Sequence, residues 1–242
     1  MRYIPIFCLL IFCISCQKAT PDNSDKGKEE VSTDSVAAKP EKESVLSLSV
    51  FTDSLDFKNP TLTGVISYPQ IGLPSLDSIV EHEIQSMMRK YRAELKNMMD
   101  EDMLDEDIST SGLWVETEEI EFDGPVVSYR IYESTMMAGA AHPVHSYLEY
   151  NFSKKENRLL EFKDIFNLPT EEDSLSLIKL INQHFPDDYA ELRGKYDYGF
   201  NLKGDSISFN FDSYEVGPYA IGMPRSVIAK SELGAFLHED YQ

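Results

Sequence analysis

"GLWVETEEIEFDGPVVSYRIYES", residues 112–134, holds two runs of alternating apolar and polar side chains on either side of Asp123-Gly124. Alternation at period two marks a strand with one buried face. Asp-Gly provides the positive-φ conformers that a tight hairpin needs. The two runs are therefore expected to pair antiparallel. Ile120 and Phe122 are expected to share a face with Trp114, and Val127, Tyr129 and Ile131 to share one face of the partner strand.

The same period appears on both sides of this hairpin. "LSLSVF" (46–51) and "TLTGVISY" (61–68) read as strands, and Pro69, Gly72 and Pro74 mark a loop after them. A long helix is expected from near Ser75, because Leu76, Val80, Ile84, Met87, Tyr91, Leu95 and Met98 recur at spacings of three and four. "DEDMLDED" (100–107) lacks the central glycine of a calcium-binding EF-hand and reads as a solvated acidic loop. Downstream, "SYLEYNF" (146–152) is a further strand, and "LLEFKDIFNLP" (159–169) leads into a second helix at 170–185. Thr170 can cap that helix, with Glu171, Glu172 and Asp173 complementing its dipole. "FNLKGDSISFNF" (200–211) is a hairpin turning at Gly204-Asp205, and "SVIAK" (226–230) is a last strand before a short helix from Ser231. Strands and helices do not alternate regularly. The expected class is α+β: antiparallel sheets, a long helix in the N-terminal half and a second helix packed on the C-terminal sheet.

The first residues are of another kind. "MRYIPIFCLLIFCIS" (1–15) is one positive charge followed by an apolar run short of the ~20 residues that span a bilayer, so it reads as a secretory signal. Ser15 before Cys16 resembles the lipobox of bacterial lipoproteins, although Cys13 stands where leucine is usual. Cleavage before Cys16 would place lipid on that thiol and leave no other cysteine, hence no disulfide and no thiolate site. Residues 16–45 then form a lipidated cysteine and a tether rich in Lys, Glu, Ser, Asp and Pro, without aromatic residues. As a flexible coil that tether spans roughly 30 Å. The chain carries 22 basic and 42 acidic residues, a net charge of −20. Losing the leader removes only Arg2 and makes it −21. Such a surface repels nucleic acid and anionic headgroups; it either serves only to keep an envelope protein soluble, the commoner case, or attracts a basic partner.

Two short segments carry the candidate chemistry. "AGAAHPVHSY" (138–147) holds His142 and His145. On a strand, residues three apart face opposite ways, so one metal ion is not expected to take both. Glu149 falls on the His145 side and forms the one expected His–carboxylate pair. Gly139 suits a tight turn, and the stretch reads mainly as architecture, with ligand contact as the alternative. "SYEVGPYAIG" (213–222) offers Tyr214, Glu215 and Tyr219 around a Gly217-Pro218 turn. These can line an aromatic groove for sugar or protein, or form a strand exit with tyrosines at the core rim. Should the two segments meet, His142, His145, Tyr214, Glu215 and Tyr219 form the candidate ligand-binding surface. There is no nucleophile elbow, phosphate loop, His-Glu-x-x-His or dinucleotide fingerprint, so neither catalytic residue nor cofactor nor metal is assigned.

Several stretches together resemble a known family. "VISYPQIGLPSLDSI" (65–79), "MAGAAHPVHSYLEYNF" (137–152), "LLEFKDIF" (159–166) and "ISFNFDSYEVGPYAIGMPRSVIAKSEL" (207–233) look like the extracytoplasmic domains of RsiV-type anti-sigma factors and PdaC-type peptidoglycan deacetylases. The resemblance implies an N-terminal PdaC/RsiV-type domain at 46–135 and an RsiV C-terminal-type domain at 136–242. It implies binding rather than a reaction, since the deacetylase chemistry lies in a separate domain and the sensor uses this region to recognise lysozyme. The expectation is a non-enzymatic envelope lipoprotein that binds a basic, lysozyme-like protein or a peptidoglycan fragment. Its lipid would sit in the outer membrane where a cell has two, because Gln17 rather than Asp follows Cys16. An enzyme acting on wall sugars through carboxylates near His142 and Glu215, and a purely structural lipoprotein, are the alternatives. Oligomeric state is left open.

Overall fold

In the computed structural model, which describes residues 49–53, 57–58, 61–100, 110–122, 124–186, 190–194 and 198–242, β1 (Ser49–Asp53) and β2 (Phe57–Lys58) both run antiparallel to β3 (Thr61–Gln70). α1 (Pro74–Asp100) follows, then the hairpin of β4 (Thr110–Glu121) and β5 (Val126–Met136). β6 (Val144–Ser153) and the short β7 (Arg158–Leu159) complete a seven-stranded sheet ordered β1-β3-β4-β5-β6-β7, with β2 beside β3. Every pair in it is antiparallel except β3–β4. That pair departs from the antiparallel expectation because α1 is a crossover that returns the chain to the same end of the sheet.

The central hairpin forms as its pattern predicts, although Asp123 itself is outside the described residues. Val127, Tyr129 and Ile131 share one face and are fully buried. On β4 the expected face is corrected by a bulge: register shifts between Glu118 and Ile120, and Glu119 adopts φ 47°. One extra residue inverts the alternation. Leu113 and Val115 before the bulge, and Ile120 and Phe122 after it, therefore face the same core, while Trp114 faces away. The indole lies over Gly112, where a Cβ would come within 2.1 Å of the ring.

α1 buries Leu76, Val80, Ile84, Tyr91 and Leu95 against this face. Met88 takes the central position expected of Met87, since its phase fits Tyr91 and Leu95; Met87 packs at the margin. The helix is tied in at its start, where Asp77 accepts the Ile71 and Gly72 amides at 2.8 and 2.9 Å.

The opposite face of the sheet meets a second layer. α2 (Phe162–Ile165) and α3 (Glu171–Gln183) precede β8 (Gly199–Lys203), β9 (Ser206–Asn210), β10 (Arg225–Ala229) and α4 (Lys230–Leu233). The last three strands form an antiparallel sheet ordered β10-β9-β8. β8 and β9 turn at Gly204-Asp205 as expected, with Gly204 at φ 50°. Thr170 caps α3 in a reciprocal box with Asp173. Leu177, Ile178 and Ile181 pack into a core with Phe209, Phe211 and Ile228, placing the second helix on the C-terminal sheet.

The seam between the layers is polar. Ser128 Oγ accepts the Leu202 amide at 3.0 Å, and Asn151 Nδ2 donates to the Phe200 carbonyl at 2.7 Å. Asn201 Nδ2 donates to the Tyr129 carbonyl at 2.8 Å. Side chains of β5 and β6 thus satisfy the free edge of β8, which would otherwise solicit another strand. The described residues all fall in one compact unit, and position 135/136 lies within β5, next to the end of its pairing with β6. The leader, Cys16, the tether, residues 46–48 and the acidic run from 101 lie outside the described residues. Among those described, no helix is long and apolar enough to cross a membrane.

Candidate functional site

β6 begins at Val144, so His142 belongs to the turn before it. That turn is held by Ala140 N–H to Met137 O at 3.0 Å and Ala138 N–H to Ser111 Oγ at 3.0 Å, with Gly139 at φ 79°. Residues 212–222, after β9, run back along the outer edge of β6. Ser213 donates its amide to the His145 carbonyl at 3.1 Å, and the Tyr147 amide donates to Asp212 Oδ1 at 2.8 Å.

These two segments bring four of the five expected residues together. The His142 ring stacks on Tyr219 with centroids 3.8 Å apart, and its Nε2 meets the Tyr214 hydroxyl at 2.9 Å. His145 Nε2 meets the Tyr219 hydroxyl at 3.1 Å, and its Nδ1 meets Tyr132 at 2.7 Å. The histidines therefore share Tyr219, correcting the expectation that they face opposite ways; strand alternation does not extend to a residue in the preceding turn. A neutral imidazole has one donor and one acceptor, so one of the two tyrosines donates to His145 and the other accepts. Burial, aided by His142, lowers the His145 pKa and so favours the neutral ring.

Tyr214 is 54% exposed and has φ 72°. A left-handed conformation costs an L-residue with a Cβ about 1–2 kcal/mol, and strain of this kind concentrates at functional sites. The His142 hydrogen bond and the flanking rings hold it there.

Glu215 does not join the rings. Its Oε2 accepts the Asp212 amide at 2.9 Å, and it lines a cavity of about 610 Å³ with Glu191, Arg193 and Pro218. Burial, then Asp212, push its pKa up. The expected His145–Glu149 pair is not formed, because both His145 nitrogens are taken by tyrosines. The Glu149 carboxyl lies instead over Gly199, where a Cβ would come within 2.3 Å of it, and accepts from Asn210. Burial, then the nearby Asp212, raise its pKa to about 7. Among the described residues no three His, Cys, Asp or Glu side chains gather to hold a metal.

The sequence reading missed Tyr132 and Tyr147. They are register partners on β5 and β6, with ring centroids 6.2 Å apart, and Tyr147 covers the Arg130 guanidinium at 4.7 Å. Tyr132 is one residue out of phase with the buried Tyr129 and Ile131, a sign that it faces the other layer.

Two solved structures share this architecture. One is a DUF3298 family protein from Pseudomonas aeruginosa PAO1, with TM-score 0.58 over 81% of this chain and 96% of that one, at 14% identity. The other is a DUF3298 family member from Bacteroides fragilis NCTC 9343, with TM-score 0.59 over 81% and 94% of the two chains, at 19% identity. The chain has the DUF3298 fold. Both matches cover nearly all of the neighbour, so the whole DUF3298 architecture is shared rather than a fragment of it. The name denotes a domain of unknown function and brings no reaction or ligand with it. No family model matches the sequence, and no curated protein does.

Proposed function

We propose that this DUF3298-fold protein is a cell-envelope lipoprotein, RsiV-like in kind, that binds a protein or cell-wall ligand on the ledge built by His142, His145, Tyr214 and Tyr219. The observation that carries the reading is Tyr214: an exposed aromatic ring held in a costly backbone conformation by a histidine 72 positions away. Rigid aromatic residues with polar tips provide contact area at little entropic cost, which suits them to recognition. With 42 acidic against 22 basic residues, the surface favours a basic partner, and a lysozyme-like protein is the specific form of the proposal. Cys16 is the proposed lipid anchor, ahead of the 16–45 tether.

The test is binding of hen-type lysozyme to the 46–242 body, measured by calorimetry from low to physiological salt. Saturable binding that weakens with salt and drops at least about tenfold in Tyr214→Ala supports the reading. No heat at low salt removes the lysozyme form. Binding that Tyr214→Ala leaves unchanged removes the ledge. One observation favours the enzymatic alternative: a carboxyl whose pKa of about 7 suits a general acid, Glu149. Incubation with purified muropeptides separates the readings, since a binder leaves them intact.

A further inference from the structure

The segment that completes the ledge is not a strand. Residues 212–222 reach the β6 edge through two contacts, the Ser213 amide to the His145 carbonyl and the Tyr147 amide to Asp212, and through the rings of Tyr214 and Tyr219. The next residue of β6 on that side is Glu149. Asp212, whose Oδ1 accepts the Tyr147 amide two residues away, and Glu215, whose Oε2 accepts the Asp212 amide, bring negative charge within electrostatic reach of it. Asn210 of β9 donates to it, and Arg130 of β5 is its register partner. Arg130 is already held by Glu118 and Asn210 at 2.9 Å each, which limits what it can offer Glu149. Lys163 and Glu161, which share a cavity of about 570 Å³ with Glu149 and Tyr198, pair with one another. A negative charge on Glu149 would therefore meet two like charges and a preoccupied cation.

We infer that the β6-facing contacts of residues 212–222, flanking the core-anchored Val216, are a latch over the ledge, released from the β6 edge when Glu149 gives up its proton. The inference rests on reading the ledge as the binding surface, whose regulation it describes. With Glu149 neutral, one carboxyl hydrogen relieves the repulsion, and the latch carries Tyr214 and Tyr219 to the two histidines. With Glu149 ionised, repulsion from Asp212 outweighs the attraction to Arg130, and opening lets all three carboxylates hydrate. The sign follows from linkage: the closed state holds the proton more tightly, so rising pH favours the open one. The Glu149 carboxyl titrates at about 7 when closed, against 4.5 for a solvated glutamate. If opening restores the solvated value, the open fraction rises about tenfold between pH 6 and pH 8. Burial, then His142, lower the His145 pKa, so its own titration is displaced away from the alkaline side of that window.

Hydrogen exchange on the ligand-free protein tests this without reference to any partner. The Tyr147 and Ser213 amides, corrected for intrinsic rate, are expected to lose about tenfold in protection from pH 6 to pH 8 and, at each pH, to be far less protected than the Val115 amide in β4, which opens only with the whole fold; protection equal to that of Val115 overturns a local latch. Glu149→Gln should abolish the loss, and Glu215→Gln, which removes one repelling charge, should reduce it. No loss in the unmodified protein, or the same loss in Glu149→Gln, overturns the latch. Failure of lysozyme to bind counts against the ledge as a binding surface and leaves the exchange result standing.

Discussion

Arg130 is the charged group most deeply enclosed in the seam, with its side chain 3% exposed. Its Nε and Nη2 donate to Glu118 Oε2 at 3.0 and 2.9 Å, its Nη1 donates to Asn210 Oδ1 at 2.9 Å, and Glu119 lies at 3.5 Å. Consider Arg130→Met. Three charge-assisted hydrogen bonds are lost, each worth about 1.5–3 kcal/mol, but the several kcal/mol spent on desolvating the guanidinium are recovered. What is left behind decides the balance. Glu118 is 39% exposed and returns to water, while Asn210 Oδ1 keeps the Ser208 hydroxyl at 2.8 Å. Little remains unsatisfied, so the expected loss is about 2 kcal/mol, below the 3–5 kcal/mol typical of breaking a fully buried pair. The reverse perturbation is harsher. Glu118→Ala leaves the guanidinium enclosed with the longer Glu119 ion pair at 3.5 Å and the Asn210 hydrogen bond, and the expected loss is about 3 kcal/mol. Urea unfolding followed by the fluorescence of Trp114, the single tryptophan, measures both. The double variant should cost no more than Arg130→Met alone. The reasoning fails if Arg130→Met proves the costlier of the two, or if the two losses add.

Two further predictions follow from buried polar groups. The Glu149 pKa of about 7 lies above its unfolded value of 4.5, so this group's contribution to stability is full below pH 4.5 and is lost as pH rises through 7. The loss amounts to about 3 kcal/mol, and Glu149→Gln should restore most of it at pH 8 while changing little at pH 4.5; equal effects at both pH values would contradict the assignment. The Tyr129 hydroxyl is fully buried and has no hydrogen-bond partner among the described residues. Tyr129→Phe should therefore match or exceed the parent in stability by about 1 kcal/mol, and a loss of that size in a urea melt would show that the hydroxyl is satisfied.

What can be read in the sequence is what local chemistry specifies. Gly204-Asp205 turns a hairpin because glycine tolerates the φ it adopts there, and Thr170 with Asp173 starts α3 because their side chains satisfy amides three residues away. The bulge at Glu119 has no such local sign. A glutamate at φ 47° is disfavoured on its own, and what holds it is distant: Arg225 at 2.8 Å, Lys203 at 3.4 Å and Arg130 at 3.5 Å, contributed by β10, β8 and β5. The flip of Trp114 away from Ile120 follows from those ion pairs, and period-two reasoning across residues 112–122 has no access to them. The parallel β3–β4 pair is hidden for a related reason, since a helix pattern between two strand patterns does not say which end of the sheet the chain returns to. The ledge is intermediate. Histidines and tyrosines clustered in two Gly- and Pro-containing loops can be recognised as candidates, but their meeting depends on where β6 begins.

That starting point also explains why the ledge forms on this strand. β7 pairs with β6 at Phe152 and Ser153, and among the described residues no strand lies beside the outward backbone groups from His145 to Glu149. An open edge of this kind invites unwanted pairing. Farther along, Leu160 donates its amide to the Asn151 carbonyl and closes the edge with a continuous chain. Nearer the turn, residues 212–215 cover it with one backbone bond and one carboxylate. A loop that covers an edge through side chains can be displaced at far lower cost than a strand held by a full ladder, because fewer hydrogen bonds must break together. The edge closest to the histidines is thus the part of the sheet best protected against aggregation by something removable. A binding surface assembled there inherits that removability, which a surface built on the rigid β4–β5 hairpin would lack.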